Sequence, residues 1–135
     1  MATTQAQALA VATDGESRMP QALLGTWLLR GIVEIDATCT ITAEPYGPHP
    51  SGQLIYGPGG AMAVVIREHG DLPAVAYAGE AVRAEGNLLR HVVRVGLPPY
   101  TEDQVRHARL DNETDLVLAT GAEGQPRVEL RWRRA

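Results

Sequence analysis

The chain has 135 residues, 44% of them hydrophobic and 21% charged, which fits one globular domain and excludes a disordered chain. Twelve basic against sixteen acidic residues leave a net charge of −4, so no basic face is available for nucleic acid. All twelve cations are arginine, which excludes Schiff-base chemistry, a P-loop lysine and a lysine general base. The single cysteine, Cys39, excludes an internal disulfide and a multi-thiolate zinc site.

Residues 1–16 are small and polar with one short apolar patch. They lack the basic amino end and long apolar stretch of a secretory signal, so they read as a flexible leader on a cytoplasmic protein. No later run approaches the ~20 apolar residues of a membrane span. Domain organisation is therefore a leader over 1–16 and one folded domain over 17–135.

The folded part opens with a short helical turn, where Pro20 precedes QALL and Gly25 ends the run. Beyond it no window has a helical period. Short β-branched runs recur instead, bounded by turn residues at the spacing of antiparallel strands. The first strand is predicted over Thr26–Asp36, with Trp27, Leu29, Val33 and Ile35 on one parity. A second is predicted over Ala37–Ala43, with Cys39 and Ile41 facing in. The stretch EPYGPHPSG (44–52) holds three prolines and two glycines and must be a loop.

Three hairpins follow. Gln53–Tyr56 and Ala61–Arg67 flank GPGG, Ala74–Ala84 meets Leu88–Gly96 across EGN, and Gln104–Leu110 meets Leu116–Thr120 across DNET. Arg127–Arg133 closes the chain. The fold class is all-β: eight or nine antiparallel up-and-down strands after one short N-terminal helical turn. Closure into a barrel removes exposed strand edges and leaves an interior wide enough for side chains or one small ligand. A sandwich with a solid core is the competing arrangement.

LLGTWLL (23–29) resembles the opening of lipocalin-like proteins, where a Gly-x-Trp starts the first barrel strand. YGPHPSGQLIYGPGGAM (46–62), YAGEA (77–81), HVVRVGLPP (91–99), EDQVR (102–106) and the closing LRWRR are similar, in order, to segments of the bacterial and fungal lipocalin-like domain family. The resemblance spans 22–134 and implies a lipocalin-like β-barrel with a binding cavity. Ala81 and Gly96 stand where that pattern has larger residues, which implies an enlarged or reshaped cavity. Barrels of this kind include carriers as well as cyclases and isomerases of specialised metabolism, and fold alone does not choose between them.

Strand alternation nominates the inward groups. In Leu88–Gly96, Arg90 and Arg94 point out and Leu89, His91, Val93 and Val95 point in. His91 is then an imidazole on an apolar strip. It is either a donor or general acid/base facing a ligand, or a core histidine bonded to a tyrosine or backbone group. Arg106 lies on a face of mixed polarity. If it points inward, Glu80, a backbone carbonyl, or a ligand enolate, carboxylate or carbonyl must satisfy its charge. Tyr56 and Tyr77 each combine an apolar ring with a hydroxyl donor and serve equally well as core rings. These four are the candidate catalytic groups.

Trp27, Leu29, Cys39, Met62, Val64, Leu89, Val93 and Tyr100 are the candidate ligand-contacting residues. Trp27 also reads as a structural plug at one barrel end, under an arginine of the last strand, and the RWRR end reads as a solvated rim. The four histidines have no metal-ligand spacing, so neither metal nor cofactor is expected. The expected function is a cofactor-independent cyclase or isomerase acting on a largely apolar polyketide- or terpenoid-like molecule. The alternative is a carrier or sensor of a hydrophobic metabolite. Neither nucleic acid nor membrane is an expected partner, and a homodimer is compatible with so small a barrel.

Overall fold

A computed structural model describes residues 17–135; the proposed leader over 1–16 lies outside the described residues. Nine strands form one antiparallel sheet: β1 (Gly25–Ile35), β2 (Ile41–Ala43), β3 (Gly52–Tyr56), β4 (Ala61–Ile66), β5 (Val75–Glu85), β6 (Leu88–Gly96), β7 (Gln104–Leu110), β8 (Asp115–Ala119) and β9 (Arg127–Arg134). Neighbours follow chain order from β3 to β9, and β9 pairs back onto β1, which closes a barrel of eight strands. The ninth, β2, is a short flap on β1. The first half of β1 pairs with β3, and its last residues, Glu34 and Ile35, pair with β2. Among the described residues the only helical pieces are 3-10 turns at Gln21–Leu23 and Pro58–Gly60, and no helix is long and apolar enough to cross a membrane.

Two bulges reset the in-out alternation and correct the simple parity reading. Arg131 pairs with Gly31 and Trp132 with Leu29, so Arg30 is an extra residue. Trp27 and Leu29 face in before it, and Ile32 faces in after it, while Val33 and Ile35 are buried outside the barrel core. In β6, Ala78 pairs with Val95 and Gly79 with Val93, which leaves Arg94 extra. Val95 is thereby turned outward, contrary to the alternation, and is 68% exposed.

The predicted strand over Ala37–Ala43 is only half present, and Cys39 does not face in. Asp36 Oδ1 accepts hydrogen bonds from the Thr38 and Thr40 amides and the Thr38 hydroxyl, which curls 36–40 into a tight turn. Those bonds replace a strand ladder. Cys39 sits at φ 66° with an exposed side chain, its Sγ 3.8 Å from Arg127 Nη2.

One barrel end is sealed. The 3-10 turn brings the Leu23 carbonyl to accept from Trp27 Nε1 at 2.9 Å, and Trp27 is fully buried. The Arg134 guanidinium stacks 4.1 Å from the Trp27 ring and donates to the Leu24 and Ala22 carbonyls at 2.8 and 2.7 Å. Gly25 makes this approach feasible: its φ is +131°, and a Cβ there would lie 2.9 Å from Arg134 Nη1. The chain end is therefore more than a solvated rim. Arg134→Met is expected to lower unfolding free energy by about 2 kcal/mol, read from the urea midpoint, through loss of the cation–π contact and two charged hydrogen bonds.

Candidate functional site

The opposite end is open. There the β2–β3, β4–β5 and β6–β7 loops surround the mouth of a cavity of about 440 Å³, a size typical of small-molecule sites. Its floor is apolar, made by Ile32, Val64, Ile66, Leu118, Leu130 and Trp132 from four strands. Tyr46, Leu72, Pro73, Pro99 and Tyr100 form the rim. Tyr46 is fixed by donating to the Pro73 carbonyl at 2.9 Å, and Tyr100 stacks on Tyr77 at 6.2 Å between ring centres. Gly96 does not enlarge the cavity. A Cβ there would collide with the Tyr100 carbonyl oxygen, so the glycine lets the Leu97–Tyr100 turn fold over β6 and β5. Ala81, paired opposite His91, is buried and is not part of the wall.

Three of the four nominated polar groups form one chain. His91 is 1% exposed; its Nε2 lies 2.6 Å from the Tyr56 hydroxyl and its Nδ1 2.8 Å from the Tyr77 hydroxyl. Three strands set this geometry: β3 supplies Tyr56, and the paired strands β5 and β6 supply Tyr77 and His91, each from an inward position. Both tyrosine rings also pack on the imidazole, with centres at 5.5 and 5.8 Å.

Burial, and secondarily the positive charge of Arg106, lowers the His91 pKa from 6.5 to about 3. The ring is therefore neutral at pH 7, with one nitrogen donating and the other accepting. Proton bookkeeping fixes which. Tyr56 is 1% exposed and, among the described residues, its hydroxyl has no partner but His91. If Tyr56 accepted from Nε2, its own O–H would be buried without an acceptor, at a cost of about 1–3 kcal/mol. Tyr56 therefore donates to Nε2, and Nδ1–H donates to the Tyr77 oxygen. That leaves the Tyr77 O–H free, and Tyr77 and His91 are on the cavity wall whereas Tyr56 is not. Burial raises the Tyr77 pKa to about 12 although Arg106 opposes the rise, so the hydroxyl keeps its proton. Tyr56 is raised further, again by burial.

Arg106 points inward. It shares the cavity wall with Tyr77 and His91, and in β7 it pairs opposite Leu89. Its Nη1 donates to the Val105 carbonyl at 2.8 Å and its Nη2 to Gln104 Oε1 at 3.3 Å. Glu80, a partner considered from sequence, instead pairs with Arg94. Trp132, 2% exposed, adds a buried indole N–H that finds no acceptor among the described residues.

The nominated contact residues divide. Val64 and Tyr100 line the cavity. Trp27, Leu29, Met62 and Leu89 are buried in the core around and below it, and Val93 packs partly buried against that core. Cys39 is on the outside, for the reason given above. Sequence reading missed Leu118, Leu130 and Trp132 as cavity wall. Strand alternation in β8 and β9 was the available signal, but apolar parity does not distinguish lining a cavity from filling a core. Among the described residues no group of three or more His, Cys, Asp or Glu side chains converges as a metal site would.

Comparison with known proteins adds the fold alone. No protein family matches the sequence, and no curated protein is similar to it. Among solved structures, a redesigned β-barrel superposes with a TM-score of 0.51 at 12% identity, covering 88% of this chain and 96% of that one. The chain shares with it the β-barrel architecture.

Proposed function

We propose that the barrel encloses a largely apolar small molecule and acts on it as a cofactor-independent cyclase or isomerase. The observation that carries this reading is the Tyr56–His91–Tyr77 chain, whose one uncommitted proton, on Tyr77, meets an apolar cavity beside Arg106. A carbonyl oxygen of the bound molecule would accept from Tyr77 while Arg106 stabilises negative charge developing on it. Neutral His91 holds the Tyr77 oxygen and orients its proton. The apolar wall confines the remaining carbons in a reactive shape, which needs no nucleophile or resident cofactor. The lipocalin-like resemblance of the sequence agrees with such a role in specialised metabolism. A carrier or sensor of a hydrophobic metabolite is the second reading, favoured by an imidazole bonded at both nitrogens and so unavailable to move protons.

Dibenzoylmethane, a mostly apolar 1,3-diketone, separates these readings. Saturable quenching of tryptophan fluorescence is expected, together with at least about tenfold faster exchange of its central C–H for deuterium than in buffer. In that exchange the C–H bond breaks, its proton passes to solvent and the charge moves onto the carbonyl oxygen. Tyr77→Phe should bind the diketone and lose the acceleration. Binding without acceleration in the parent protein would favour the carrier, and absence of saturable binding would overturn the cavity reading.

A further inference from the structure

We infer that the ligand is an anion whose delocalised oxygens, those of a carboxylate or of an acidic 1,3-dicarbonyl enolate, pair with Arg106. This rests on the cavity being a small-molecule site and narrows the class of molecule it takes. Arg90, Arg94, Arg109, Arg127, Arg131 and Arg133 each have a carboxylate partner; of the other arginines, Arg18, Arg30, Arg67 and Arg83 are exposed and Arg134 is held by two backbone carbonyls and the Trp27 ring. Arg106 has none among the described residues, although it is half-buried on an apolar wall where an uncompensated charge is least tolerated. Its two neutral acceptors, the Val105 carbonyl and Gln104 Oε1, fix the side chain and leave N–H groups of the five-donor fork uncommitted.

Hydrogen-bond accounting points the same way. The groups around Arg106 that lack acceptors are themselves donors: the Tyr77 O–H and the Trp132 indole N–H on the same wall. The one carboxylate in the wall, Glu34, forms no ion pair with Arg106. A neutral carbonyl would accept a hydrogen bond and leave the guanidinium charge unbalanced. A planar, delocalised anion both balances the charge and matches the fork with two parallel acceptors. The rest of the molecule must be apolar, because Val64, Ile66, Leu118 and Leu130 offer it nothing polar.

The test compares three probes of similar size on the whole chain by titration calorimetry at pH 7.5: biphenyl-4-carboxylate, 2-phenylindane-1,3-dione as its enolate, and neutral biphenyl-4-carboxamide. At least one anion is expected to bind roughly ten- to hundredfold more tightly than the amide, as a charge-assisted pair should. Whichever anion binds better identifies the oxygen class. Arg106→Met should erase the preference, with Arg106→Gln as a second variant and thermal denaturation confirming that each is folded. The contrast within the parent protein needs no variant. Amide binding as tight as that of both anions would overturn the inference and leave the cavity reading intact. Failure of all three to bind would remove both.

Discussion

Acidification from pH 6.5 towards pH 3 is expected to cost the barrel up to about 1.4 kcal/mol of stability per pH unit through His91 alone. The sign follows from where the proton binds. In the unfolded chain the imidazole protonates near its ordinary 6.5, whereas in the barrel burial and then Arg106 hold protonation off until about 3. Between those values the unfolded state binds more protons, so stability falls as pH falls. Above 6.5 both states are neutral and this dependence vanishes. Urea unfolding of the parent protein and of His91→Leu at pH 7, 6, 5 and 4 isolates the effect, because other acid-sensitive groups are common to both. A steeper loss in the parent is expected. Parallel pH profiles would mean that the folded imidazole protonates freely.

His91→Leu itself is expected to destabilise the barrel at pH 7 by about 2–4 kcal/mol. The substitution nearly conserves volume, so little of that loss is a cavity; most of it comes from stranding the buried Tyr56 hydroxyl, which has no other partner among the described residues. Tyr77 is less affected because its hydroxyl adjoins the cavity. Adding Tyr56→Phe should therefore recover about 1–2 kcal/mol, since removing both partners of a buried hydrogen bond costs less than removing one. Strict additivity of the two changes in chemical denaturation would contradict the proposed coupling.

Much of the barrel is legible from local chemistry. Gly-rich turns at 57–60 and 85–87 and the polar turn at 111–114 fix three hairpins within a residue or two of their observed ends. Alternation correctly turns His91 inward. It fails where a strand carries an extra residue, since the bulges at Arg30 and Arg94 shift Val33, Ile35 and Val95 to the outer side. Nothing in a period-two pattern marks a bulge, because it exists only in the register between two strands. Cys39 illustrates a different limit. The DATCT run looks like a β-rich strand, but Asp36 has two threonines and a free backbone within reach, and the turn outcompetes the ladder.

The site is legible in its parts and not in its wiring. Tyr56, Tyr77 and His91 are identifiable singly, yet their meeting depends on β3, β5 and β6 wrapping towards one interior, a long-range consequence of closure. The inward turn of Arg106 is equally invisible locally, because Gln104 and Ala108 on its face are neither clearly core nor clearly surface.

The most direct test of the account is a dibenzoylmethane titration followed by 1H–15N NMR of the side-chain nitrogens and backbone amides. A neutral His91 protonated at Nδ1 is predicted before ligand is added, even at pH 5, with ligand-induced shifts at His91, Trp132 Nε1 and Arg106 Nε. A His91 imidazolium at pH 5, or shifts confined to exposed outer-face residues such as Val65 and Val95, would contradict it.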